Sequence, residues 1–432
     1  MLGTYRTESG ASDGVRSMTS QSQSGRPAHF DLSGQRLHEV NDLLRAQGPA
    51  TPVELPGGVV AWSVTRYDVM RRLADDPRVS RDAKRHWPAF AGLSADWPLA
   101  SFVSLPAVLN AYGEDHRRLR SLIEPAFSPA RTEALRAMVQ GRVRRLVNEL
   151  GQAAGAGGVV DLRNGYAYVI SAETLCDLFG VPDGLREKTR RAIDALSDPS
   201  DSPEQSAADM GALLGTMGDL VAEKSTHPGP DMVSDLIAAR VGDGDGLGAE
   251  EVVTTLLLTI GAGGPTTADL IANAAYALLA DPDQRELVTG GLVGWPDVIE
   301  ETLRAEAPVQ HMPLRYAVED IDLGDGLVIE RGQPILLGFG ASGRDPSLNP
   351  EGGPEDFDVT RPAKAHLAFG HGVHHCIGAP LARMQAHIAL SALFERFPRM
   401  ELAVEPDQLR PQPTFLFNGL MELPVRLGTD PA

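Results

Sequence analysis

The densest chemical signal in the chain is Phe369-Gly-His-Gly-Val-His-His-Cys-Ile-Gly378, directly ahead of a segment with helical apolar spacing. A cysteine at a helix start sits where amide N–H groups and the helix dipole stabilise a thiolate. The flanking glycines let the backbone approach a flat object closely. Three chemistries use such a thiolate. A zinc site fails on geometry: contiguous His374, His375 and Cys376 point apart, and no second ligand cluster exists in the sequence. A Cys–His hydrolase needs a base beside its nucleophile, and an adjacent His375 seldom has that orientation. A thiolate ligand to haem iron needs one cysteine, a hydrophobic wall and a backbone donating weak hydrogen bonds to sulfur.

Three other constellations carry chemistry. Glu301-Thr-Leu-Arg304 places a carboxylate and a guanidinium on one helix face, and Pro308 stops that helix. His116 and Arg120 stand one turn apart on a basic helix. Gly261-Ala-Gly-Gly-Pro-Thr266 interrupts the longest apolar segment, and no Gly-Lys-Ser/Thr follows to make it a phosphate loop. Pro265 removes an N–H and clashes with the Gly261 carbonyl, which predicts a kink.

In this order the motifs resemble the cytochrome P-450 family, the soluble bacterial haem-thiolate monooxygenases. Phe369-x-x-Gly372-x-His374-x-Cys376-x-Gly378 matches the family signature FxxGxHxCxG at every position. The resemblance implies a mainly α fold with small β-sheets, a prism-like helical domain with a minor β region. It implies haem b (iron protoporphyrin IX), with Cys376 as the axial ligand to iron and Phe369 and Gly378 in the loop that holds it. His116, Arg120, Arg315 and His374 match the family's contacts to the haem propionates. Glu301 and Arg304, with Arg361 of Phe357-Asp358-x-x-Arg361, match the triad that braces the chain behind the haem. Ala262 matches the small residue that lets the helix pass over the haem. Thr266 matches the alcohol that helps deliver protons to O2.

One departure stands out. The family carries [AG]-G-x-[DE]-T on this helix, and here Pro265 occupies the acid position. Three routes remain open: ordered water with Thr266, a polar group supplied by the substrate, or a less usual reaction such as oxidative coupling of aromatic partners. The resemblance otherwise implies hydroxylation of an apolar or mixed molecule of natural-product size, with electrons from a separate ferredoxin and ferredoxin reductase. Arg117, Arg118, Arg383 and His387 could present a basic face to an acidic ferredoxin. A haem-binding relative without turnover is the competing class.

The elements that must position these groups follow from pattern. Residues 51–64 read as a hairpin, 67–76 as a short helix and 81–113 as a long irregular lid or binding segment. Trp87, Phe90, Trp97 and Phe102 on that segment, with Val309, are the candidate substrate-lining residues. Helices are expected over 116–127, 131–150, 166–180, 250–282, 295–308 and 377–398, with 195–248 read only as polar. Residues 310–340 and 399–428 read as short strands.

Composition bounds the rest. The 432 residues carry a net charge of −19 with 42% apolar residues, a globular balance. That charge argues against nucleic acid as the main partner. No run of about 18 apolar residues exists to span a membrane. Two distant cysteines build no disulfide framework, so a reducing, cytoplasmic location is expected. Residues 1–26 are expected to be a disordered tail, with Met18 as an alternative start, and 27–432 a single catalytic domain.

Overall fold

The apolar segment expected at 250–282 forms the helix Ala249–Ala280, which is buried along most of its length. The Gly248 N–H is held by the Glu251 carboxylate at 2.9 Å, so the first turn is capped by its own third residue. Asp281 ends the helix, and its carboxylate accepts from the N–H groups of Asp283 and Gln284 to start the next one, Pro282–Thr289. The helices Tyr168–Leu178, Pro203–Thr226, Trp295–Ala305 and Ala379–Arg396 pack around Ala249–Ala280, and Pro129–Ala154 packs on Tyr168–Leu178 and Ala379–Arg396. Their apolar faces merge into the main core.

This computed structural model describes residues 28–29, 33–94, 97–154, 158–195, 203–240, 246–348 and 353–428. The tail expected at 1–26, with Met18, lies outside the described residues. The architecture is mainly helical with small sheets, as expected.

Pro265 does not break its helix, which stays α-helical from end to end. Carbonyls beside it receive additional hydroxyl donors. The Ser171 hydroxyl on Tyr168–Leu178 donates to the Gly264 carbonyl at 2.8 Å and to that of Gly263 at 3.2 Å. The Thr266 hydroxyl donates to the Ala262 carbonyl at 2.5 Å.

A six-stranded sheet flanks the helices, in the order Ala28–His29, Thr51–Leu55, Val59–Val64, Pro334–Leu337, Met312–Ala317 and Val79–Ser80. The 51–64 hairpin is present, and Met312–Ala317 runs antiparallel to Pro334–Leu337 with Arg315 opposite Ile335. Residues Glu401–Leu402, Pro424–Arg426 and Val159–Asp161 form a second sheet. Ile321–Gly324 and Leu327–Ile329 form the hairpin expected at Gly324-Asp325-Gly326, where Asp325 adopts a φ of 53°.

Two readings need correction. The polar stretch 195–248 contains the helix Pro203–Thr226, whose Leu213, Met217, Leu220 and Val221 are buried at helical spacing. Gly211, Gly215 and Gly218 dilute that pattern in the sequence. The 81–113 segment is not irregular throughout: it contains Ala83–His86, Pro88–Gly92, Ala100–Ser104 and Val108–Asn110 as short helical turns. Among the described residues no helix is long and apolar enough to cross a membrane.

Candidate active site

The 369–378 loop is folded by its own backbone. Gly372 adopts a φ of +67°, and a Cβ there would lie 2.6 Å from the Ala74 carbonyl oxygen, so no other residue fits. The Cys376 N–H donates to the Phe369 carbonyl at 2.8 Å, closing the loop. The helix Ala379–Arg396 starts just beyond, and the N–H groups of Gly378 and Ala379 point at the thiol. Burial raises the Cys376 thiol pKa, and these donors with Arg120 and Arg383 only partly oppose it. Cys376 as a residue nonetheless remains exposed.

Phe369 is held from its other face by Arg383, whose guanidinium carbon lies 4.6 Å from the ring centroid. Arg383 is itself fixed by Glu300 at 2.5 and 3.0 Å. Burial opposes ionisation of Glu300, but hydrogen bonds from His366 and Arg383 outweigh it and hold the carboxyl down at about 2.

A cluster of cations converges beside the loop. His116 and Arg120 come from Gly113–Ile123, Arg315 from Met312–Ala317, and His374 from the loop itself. The His116 and His374 rings are 4.3 Å apart. Burial, then the charges of Arg81, Arg315, His116 and Arg120, keep the His374 pKa far below its usual value. Burial and Arg81 together depress Arg315. Among the described residues no carboxylate pairs with Arg81, Arg315, His116 or His374. Buried Nε2 of His116, Nη1 of Arg315 and Nε of Arg81 have no hydrogen-bond partner. Arg120 alone has an acid, Glu124 at 3.7 Å. Buried, unpaired cations are strongly unfavourable unless an anion joins them. Arg81 was missed in the sequence. Its signal, a fully buried arginine with no acid partner, appears only in three dimensions.

The opposite wall is the Ala249–Ala280 helix. Gly261 and Ala262 are exposed in mid-helix, and Thr266 is half-buried one turn on. Val309 is half-buried and bridges to Phe417, whose ring lies 6.4 Å from that of Phe102. Trp87 and Trp97 are placed elsewhere. Both are buried in the second core cluster, Trp87 stacked on Tyr316 at 5.5 Å and Trp97 spending its indole N–H on the Pro56 carbonyl at 2.6 Å. Phe102 and Val309 thus keep partial exposure beside Phe417, whereas the two tryptophans are packing.

Glu301 and Arg304 are fully buried and bidentate, at 2.7 and 2.9 Å. Arg304 also donates to the carbonyls of Gly343, Pro354 and Asp356. Arg361 reaches Glu301 at 3.3 Å. The three side chains tie the 343–361 segment to Trp295–Ala305. Of the four cations expected to form a basic face, Arg118 pairs with Glu251, Arg383 with Glu300 and Arg117 with Glu114. The face is largely neutralised by the chain's own acids.

A family model, cytochrome P-450, matches residues 296–424. The chain is 41% identical over 403 residues to the 2-hydroxy-5-methyl-1-naphthoate 7-hydroxylase of Streptomyces carzinostaticus, covering 93% of this chain and 97% of that one. It is 35% identical to the vitamin D(3) 25-hydroxylase of Pseudonocardia autotrophica, over 94% of this chain and 98% of that one. The structure of CYP154A1 from Streptomyces coelicolor A3(2) superposes with a TM-score of 0.84 at 44% identity, over 92% of this chain and 99% of that one.

Fold and sequence thus define a haem-binding oxidoreductase. The chain belongs to the cytochrome P-450 family, as a monooxygenase of the bacterial type that binds haem b. The residues present fit that group: Cys376 is an exposed cysteine ahead of a helix start, and near it the buried donors of His116, Arg315 and Arg81 meet no carboxylate among the described residues. Two propionates are the charges that such a cluster lacks.

Proposed function

We propose that Cys376 is the thiolate ligand of the haem iron and that His116, Arg120, Arg315, His374 and Arg81 hold the propionates. The observation that carries this reading is that Gly113–Ile123 touches the cysteine loop at two points: Arg120 donates to the His375 carbonyl at 2.9 Å, next to Cys376, and the His116 ring lies 4.3 Å from that of His374. Once bound, the haem supplies the oxidation of an unactivated C–H bond with dioxygen. The chain does the remainder. Gly261 and Ala262 keep the helix backbone low over the cavity. Thr266 presents a hydroxyl whose proton is held by the Ala262 carbonyl and whose lone pairs stay free. Phe102, Val309 and Phe417 exclude water and orient an apolar face. Glu301, Arg304 and Arg361 keep the segment behind the loop in place.

The reaction is hydroxylation of an aromatic or polycyclic natural product, a class supported by the naphthoate hydroxylase relative and by the apolar wall. Electrons come from a separate ferredoxin and its reductase, because two cysteines are too few for an iron–sulfur centre in this chain. A cytoplasmic location suits the two free thiols. The test is a spectral titration of resting haem-loaded protein with a hydroxynaphthoate, a secosteroid and a macrolide. A shift of the haem band to high spin with the naphthoate supports the assignment. A response confined to the macrolide would replace it.

A further inference from the structure

The cavity-facing row of Ala249–Ala280 does not end at Thr266. Leu258, Ala262 and Pro265 follow at spacings of four and three, and Thr266 stands four residues past Ala262, which keeps these side chains toward one side. All four retain exposure, as do Leu257, Thr259, Gly261 and Gly263 beside them, whereas the helix is almost continuously buried from Thr267 to Leu279. The next residue on that row is Asp269, which is fully buried. Its Oδ1 accepts from Arg163 Nε at 3.1 Å and from Gln412 Nε2 at 3.0 Å, and Oδ2 from Gln412 Nε2 at 3.2 Å. Gly419 makes the room: a Cβ there would lie 2.5 Å from the carboxylate. Gly419 belongs to the turn whose Leu416 carbonyl accepts from the N–H groups of Gln310 and His311, next to Val309. Asp269 therefore stands where the helical wall of the cavity meets that turn. On its outer side Arg163 continues to the exposed Asn164 at 2.7 Å, so a polar path leads from the carboxyl to solvent.

Such an acid needs a reason. Among the described residues Arg163 is the only charged group acting on it; Gln412 is a neutral donor and Gly419 adds nothing. Burial outweighs both and raises the carboxyl to about 6. A carboxyl there can give and regain a proton near neutral pH. Three residues from Thr266 on a helix, its Cβ is roughly 5–6 Å from that of Thr266, within reach through one bridging water.

We propose that Asp269 is the proton donor to Thr266, taking the place of the carboxylate that Pro265 displaces. This rests on the reading that Thr266 faces the bound dioxygen. Each turnover consumes one dioxygen, two electrons from the redox partner and two protons, leaving one oxygen in product and one in water. The Thr266 hydroxyl turns from the Ala262 carbonyl to pass its own proton onward, and Asp269 gives a proton through the bridging water to the Thr266 oxygen. The carboxylate regains its proton from solvent water that enters beside Arg163 and the exposed Asn164, neither of which carries the proton itself. Only O–H bonds break and form on the chain.

The test uses haem-loaded protein with a surrogate ferredoxin and reductase, without organic substrate, from pH 5 to 9. The reading is the share of consumed dioxygen released as hydrogen peroxide rather than water. In the wild type this share should rise as pH rises through the Asp269 titration. Asp269→Asn should raise it roughly tenfold at acid pH and flatten the profile. The same variant should lose a buried carboxylic-acid infrared band that the resting wild type shows at pH 5. Adding Pro265→Glu to Asp269→Asn should restore a low share. Gln412→Leu removes a donor to the carboxylate and should move the wild-type profile to higher pH; it decides the matter if Asp269→Asn does not retain haem. Profiles unchanged in both single variants, or a loss that Pro265→Glu leaves unrepaired, overturn the proposal. Failure of the underlying haem-thiolate reading is distinguished by the absence of a thiolate-type carbon monoxide spectrum in the wild type.

Discussion

The imidazoles of His116 and His374 lie 4.3 Å apart at an interplanar angle of 58°, with Arg81, Arg120 and Arg315 close enough to suppress protonation of His374. Two neutral rings among three guanidiniums form an anion site in which, among the described residues, only Arg120 meets an acid, Glu124 at 3.7 Å.

The first prediction follows from that imbalance. Arg315→Leu and Arg81→Leu remove buried cations whose Nη1 and Nε have no partner. Each should weaken haem binding about tenfold to a hundredfold, the range for a charge-assisted hydrogen bond of ~1.5–3 kcal/mol. The haem-free protein should become more stable in both, because an uncompensated charge leaves the interior. Haem transfer to an acceptor globin and denaturant unfolding of the apoprotein measure the two effects. Loss of stability in both forms would contradict the assignment.

Glu301 holds two buried guanidiniums and the Asp358 N–H. Glu301→Gln leaves Arg304 and Arg361 without a counter-charge, at a cost of about 3–5 kcal/mol. Thermal unfolding should show the loss, together with little haem-loaded protein on expression.

Acid stability should report Glu300. Its folded pKa of about 2 lies below the 4.5 of a free glutamate side chain, so the stabilisation is full above pH 4.5 and is lost as pH falls toward 2. The carboxylate is a third exposed, and screening reduces the effect to roughly 1–2 kcal/mol. Glu300→Gln should flatten the unfolding free energy between pH 4.5 and 2. It should also free Arg383 from its place over Phe369, which a shift of the haem reduction potential would register.

Pro265→Ala restores an N–H to the Gly261 carbonyl and relieves the ring clash. The helix should gain on the order of 1–3 kcal/mol. Calorimetry of the variant checks this, and an unchanged midpoint would contradict it.

Much of this site was legible in one dimension because its parts are local. The Cys376 loop depends on glycine conformations and one helix start. The Glu301–Arg304 pair depends on a three-residue helical spacing. His116 and Arg120 share a helix face. Arg81 and Asp269 were illegible because their meaning is an environment: one is a buried cation lacking an acid, the other a buried acid meeting residues some 106 and 143 positions away. The tryptophans failed for the same reason. Trp87 and Trp97 look like pocket residues on an irregular segment until Tyr316 and Pro56 are seen to occupy them. The helix Pro203–Thr226 was hidden by its glycines.

The central claim is that Cys376 binds the haem iron. The most direct measurement is the difference spectrum of dithionite-reduced protein with and without carbon monoxide, for wild type and Cys376→Ala. The account predicts a strongly red-shifted band in the wild type that is lost in the variant. A carbonyl band of the histidine-ligated kind in the wild type, or the red-shifted band surviving in Cys376→Ala, would contradict it.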